Sequence, residues 1–321
     1  MRLDLTLTDA ATSEEVSALR KALADGDAAL SSVAPILEHL VATPDHSLFS
    51  DELVARVKGM CHHMSRQILR AQAEATGEAG REAFAEKHGA ALAAQMYRRR
   101  SILSHCHSLA LEWQLAARME AQFGLDPALS PMLQELIAAD DPSIASAAMA
   151  SLAAQARFAQ TQRRMELPIA ELPGDLFHEV LVAWREYVGD SRSDAMIRAE
   201  AKLRNAYDEG ATRLSLLARL ISGMGKRQGD ALNMERAGVA LFVTALALGS
   251  GQSRNRAVLS THEGQASRLA LGLRAAGLDM ERIKAEMLRL HPNLQLVLAA
   301  GRLSRGEAKG LLAETQSAGI E

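Results

Sequence analysis

From Ala90 to Phe123 the chain runs without a proline or a glycine, between Gly89 and Gly124. It is the longest stretch free of helix breakers, and its Ala, Leu, Gln and Arg content favours one helix roughly 50 Å long. On a helical wheel Ile102, Cys106, Leu109, Ala110 and Trp113 form one apolar stripe. Tyr97, Leu111, Leu115 and Met119 cluster on the opposite side. A helix apolar on two faces is packed on both, so this stretch is expected to be the spine of the N-terminal half.

The remainder agrees with an all-helical chain. Hydrophobic residues make up 48% of the sequence but aromatic ones only 3%, so the core must be filled by Ala, Leu and Met. A sheet protein of this size draws more on Val, Ile, Tyr and Phe. Thr12 and Glu15 have capping-box spacing ahead of Val16, Leu19 and Leu23. Asp25-Gly26-Asp27 predicts the end of that helix, and a second reaches about Ala42. Ser47 or Ser50 starts a helix with the stripe Val54, Val57, Cys61, Met64 and Ile68. Asp126-Pro127 and Asp141-Pro142 each read as an N-cap followed by proline at the first helical position. Later helices are expected over Pro173–Val188, Ser193–Ile221, Leu232–Leu248, Arg254–Ala275 and Asp279–Leu290, with short ones after Pro292 and Ser304. The one strand-like pattern is the alternation of Leu3, Leu5 and Leu7, too short to establish a sheet.

The doubled Glu-Leu-Pro of residues 166–168 and 171–173 forbids a continuous helix and predicts a boundary between residues 1–165 and 166–321. A shift of 96 residues sets Pro35–Val57 on Pro131–Ala153 without a gap. Pro35/Pro131, Leu37/Leu133, Leu40/Leu136, Ala42/Ala138, Asp45/Asp141, Ser47/Ser143 and Ser50/Ser146 are identical, which is the grammar of a repeated helix pair. The expected fold is therefore all-α, antiparallel helix pairs stacked as a HEAT-like α-solenoid or an irregular helical array. The run Gln162-Arg163-Arg164-Met165-Glu166-Leu167-Pro168, continuing through Glu171-Leu172-Pro173 to Phe177-His178, resembles bacterial helical-repeat proteins catalogued only as a domain of unknown function. The resemblance covers residues 125–190; it implies a HEAT-like scaffold and carries over no catalytic residue.

Chemistry-bearing residues are few. Cys61-His62-His63 and His105-Cys106-His107 hold metal-ligand side chains. Adjacent residues on a helix point apart, however, and each cysteine sits at the centre of an apolar stripe. A simple hairpin would also leave the two clusters about ten residues out of register, roughly 15 Å. The expectation is packed cysteines with edge histidines, no metal and no cofactor. Arg99 is a charge where the stripe calls for a packing residue, which predicts an ion pair with a carboxylate. Arg98 and Arg100 beside it, Arg163 and Arg164, and the lone His178 are candidate partner or ligand contacts, as are His105 and His107. Gly223-Met224-Gly225-Lys226-Arg227 fails as a phosphate loop, and His262-Glu263 has no second histidine at position 266.

The net charge of −3 gives no basic field for nucleic acid. The apolar run Ala237–Leu248 is too short to span a bilayer and reads as a buried core helix. Two cysteines and the absence of an apolar leader fit a cytoplasmic setting. The function expected is a non-catalytic helical scaffold or regulatory module in the bacterial cytoplasm that binds another protein, with the oligomeric state open. The alternative is a helical enzyme, or a ligand- or metal-binding protein, using a cleft near Arg99, His105 and His107.

Overall fold

A computed structural model describes residues 12–42, 50–189, 193–292 and 299–318. They are helical throughout, with no strand among them; Leu3, Leu5 and Leu7 lie outside them. In chain order the α-helices are α1 (Ser13–Ala42), α2 (Asp51–Thr76), α3 (Arg81–Tyr97), α4 (Arg100–Phe123), α5 (Pro131–Ile137), α6 (Pro142–Arg163), α7 (Gly174–Val188), α8 (Asp194–Ala206) and α9 (Arg213–Gly223). They continue as α10 (Met234–Ser250), α11 (Arg254–Ser260), α12 (Ala266–Ala276), α13 (Met280–Leu290), α14 (Ala299–Arg302) and α15 (Arg305–Ala318). The chain forms two compact units, Val33–Gly223 and the discontinuous pair Met1–Ser32 with Met224–Glu321.

The division is not the one the doubled Glu-Leu-Pro suggested. That segment does interrupt the helices, as a 3-10 turn over Ile169–Glu171. Yet Leu167, Ile169 and Leu172 are buried in the same core as Met60, Met64 and Trp184, so the chain on both sides of it belongs to one unit.

In the Val33–Gly223 unit the central helix is α2, packed on α3, α4 and α8. The expected 90–123 spine is instead two helices, because Arg99 has extended backbone (φ −102°, ψ 99°) between α3 and α4. No breaker residue causes this. One straight helix could lay only one of its two apolar faces on α2; the break lets Met96 and Tyr97 end α3 against the core and Ile102 and Leu103 begin α4 there. Arg99 finds its carboxylate in Glu186 of α7, at 2.6 Å.

Three other expected helices change, two at tertiary contacts and one at a local cap. α1 runs straight through Gly26, where a Cβ would lie 2.6 Å from Gln265 Oε1, and Asp27 pairs with the buried Arg268. The Ser193–Ile221 helix divides at Tyr207, whose hydroxyl donates to the Leu172 carbonyl at 2.8 Å while its ring stacks on Phe177. The 254–275 helix divides where the His262 ring accepts the Gly264 N–H. Asp126-Pro127 does not begin a helix: the Asp126 carboxylate accepts the N–H groups of Ala128 and Leu129 in a turn, and Ser130 caps α5 instead. Asp141 does cap α6, and the Thr12–Glu15 capping box forms in both directions.

The second unit is arranged around α12, against which α10, α13, α14 and α15 pack. The apolar run of α10 is buried from Ala237 to Ala247, as its composition predicts. It bends at Gly238, whose φ of 67° and ψ of 171° lie outside the range of a side-chain-bearing residue. Among the described residues no single helix is long and apolar enough to cross a membrane. Of the 96-residue repeat, the second copy is the α5–α6 pair, while the corner of the first, residues 43–49, lies outside the described residues.

Candidate functional site

A cavity of about 130 Å³ lies within the Val33–Gly223 unit. Leu109, Phe158, Leu167, Pro168 and Leu214 give it an apolar wall, and His105, Arg157, Thr161, Arg164, Glu171 and Arg213 add the polar groups.

Each wall is fixed by contacts the sequence specifies. Leu167 and Pro168 belong to the chain leaving α6, which turns through Met165 at a φ of 58°. The segment lies close to α2 because residue 59 is glycine: a Cβ there would sit 2.6 Å from the Met165 carbonyl oxygen. Gln67 of α2 then donates to the Leu167 carbonyl at 3.1 Å and accepts the Ile169 N–H at 3.2 Å. His63 reaches the same carbonyl at 2.9 Å. At the end of α6, Arg56 donates to the Gln162 carbonyl at 2.6 Å, supplying a partner that helix C-termini lack.

The inner wall carries a buried ion pair. Arg213, the first residue of α9, is 3% exposed and Glu112 of α4 is 1% exposed. The guanidinium bonds the Glu112 carboxylate through both terminal nitrogens, donates from Nε to Gln155 at 2.7 Å, and lies 3.7 Å above the Phe158 ring. Removing only one partner of such a pair is costly, because it leaves a buried charge uncompensated. Glu171 accepts the Arg213 backbone N–H at 2.7 Å and faces Arg157 at 3.5 Å. The residues that order the pocket thus compensate Arg213 and Arg157. Arg164, exposed at the C-terminus of α6, makes no ion pair among the described residues.

Of the candidate contacts, the fold brings His105 and Arg164 together in this pocket and disperses the others. Arg98 and Arg100 are exposed at the α3–α4 break, and Arg99 is paired with Glu186. His107 is buried but does not line the cavity. Arg163 lies 6.0 Å from the Trp113 ring, and the exposed His178 ring faces the Arg204 guanidinium at 3.3 Å. The cleft expected near Arg99, His105 and His107 therefore contains only His105 of the three.

The two cysteines do meet, which the hairpin register did not anticipate. Both are fully buried, and the neighbouring Cys106 sulfur, with burial, pushes the Cys61 thiol well above its usual range. The break at Arg99 brings α4 back onto α2 and removes the ten-residue offset. The histidines diverge around them, and among the described residues no group of three or more His, Cys, Asp and Glu side chains could hold a metal ion.

Sequence reading missed Arg157, Arg213, Glu112 and Glu171. Glu112 and Arg213 had a signal: each is a charge within an otherwise apolar helix face. Their pairing had none, because 101 residues separate them. No protein-family model, no curated protein and no solved structure matches the chain.

Proposed function

We propose that this protein is a non-catalytic helical scaffold, a regulatory module of the bacterial cytoplasm that engages another protein. The HEAT-like helix-pair resemblance of residues 125–190 belongs to the same reading. The observation that carries it is the pocket in the Val33–Gly223 unit: an apolar concavity with Arg157 and Arg164 at its edge, built from side chains already held by hydrogen bonds and ion pairs. A preorganised apolar wall beside cationic groups suits recognition, since little ordering entropy is lost on binding.

The test is a paired affinity capture from the native cytoplasm, comparing the natural chain with the double variant Arg157→Glu, Arg164→Glu. Both side chains are exposed, so the fold is expected to survive, which circular dichroism checks. At least one protein enriched by the natural chain is expected to fall tenfold or more with the variant, because like-charge juxtaposition costs several kcal/mol. Identical captured sets from the two proteins would contradict the reading.

A further inference from the structure

The size and charge of the same pocket specify more than a binding surface. Its volume of about 130 Å³ is close to that of a cavity that accepts one benzene ring. Phe158, Leu109, Leu167, Pro168 and Leu214 offer such a body carbon on several sides. The polar groups fix the sign and number of charges. Glu112 compensates Arg213 and Glu171 compensates Arg157, which leaves the Arg164 guanidinium as the cation at the pocket without an ion pair among the described residues. One planar fork of donors matches one carboxylate.

We propose that the pocket binds a small monocarboxylic acid whose apolar body is a single aromatic ring or a branched chain of similar size. The body lies against Phe158 and Leu167, and the carboxylate accepts from Arg164. A dianion would meet only one uncompensated cation there, and a neutral analogue could accept from Arg164 but without the charge that strengthens the bond. The proposal rests on the binding reading above and makes the acid an effector of the scaffold.

The experiment uses the full chain with phenylacetate as probe, followed by isothermal titration and ligand-observed NMR. Binding of one molecule per chain is expected with a dissociation constant of roughly 0.1–1 mM, reasonable for ten non-hydrogen atoms. Phenylacetamide and the variant Arg164→Gln are each expected to weaken it about tenfold, the worth of one charge-assisted hydrogen bond. Leu214→Trp, which fills the pocket from a partly exposed position, is expected to abolish it. Equal binding of phenylacetamide and phenylacetate would overturn the assignment of charge. Tenfold tighter binding of acetyl-Gly-Phe would overturn the small-acid assignment in favour of a polypeptide end, which offers the same ring and carboxylate. No binding of phenylacetate would overturn the ligand class. If the paired capture still gave an arginine-dependent partner, the scaffold reading would stand without it. If the capture also gave none, both would fall.

Discussion

Buried charge does much of the positioning in this chain, and two sites make that measurable. Removing one partner of a buried pair leaves the other stranded, so Glu112→Ala is expected to cost about 3–5 kcal/mol. Glu112→Leu combined with Arg213→Met removes both charges and should recover most of that loss. Denaturant titration followed by tryptophan fluorescence measures both variants, since Trp113 and Trp184 are the two tryptophans and both lie in the Val33–Gly223 unit. Glu200 provides a pH signature. Hydrogen bonds from Arg185 and Arg204 hold its carboxyl down at about 2. A carboxyl depressed on folding stabilises the protein above its unfolded value near 4.5, and the stabilisation is lost as pH falls from there toward 2. Arg185 and Arg204 are each about a third exposed, which screens the pair. Glu200→Gln is therefore expected to reduce the acid-side loss of stability by roughly 1–2 kcal/mol and to leave the slope above pH 5 unchanged.

At the scale of elements, what could be read in the sequence was local chemistry. The Thr12–Glu15 box, Ser50, Asp141 and the α10 run announce themselves because caps and apolar periodicity act within a few residues. The breaks at Arg99 and Tyr207 did not, because tertiary contacts impose them. Arg99 is extended to let two apolar faces reach α2, and Tyr207 leaves its helix where its hydroxyl binds Leu172 across 35 residues. Gly26 fails to stop α1 for the same reason in reverse, since Gln265 and Arg268 fix the helix through it. The pocket was legible only through His105 and Arg164; its floor depends on Gly59 and Gln67 admitting a loop about a hundred residues away. Gly59→Ala would drive a methyl into the Met165 carbonyl, so a loss of about 1–3 kcal/mol is expected. The same variant should weaken phenylacetate binding by moving Leu167, whereas unchanged stability and binding would mean that α2 does not set this wall.

At the scale of the molecule, the chain closes one unit with segments from both of its ends. Asp27 with Arg268, Glu15 with Arg302 and Arg20 with Glu314 join the first helix to the final third of the sequence. Asp27→Ala is therefore expected to lower the transition seen by far-ultraviolet circular dichroism by roughly 2–4 kcal/mol, because the buried Arg268 loses the Asp27 carboxylate. The tryptophan-detected transition of the other unit should move far less, and an equal shift by both probes would argue against separate units. On the proposed reading, the protein receives its ligand in the Val33–Gly223 pocket. Amide hydrogen exchange across the full chain, with and without saturating phenylacetate, tests it most directly. Slower exchange is expected over residues 157–171 and at the start of α9, with 224–292 unchanged. Protection confined to other segments, or none at saturation, would contradict it.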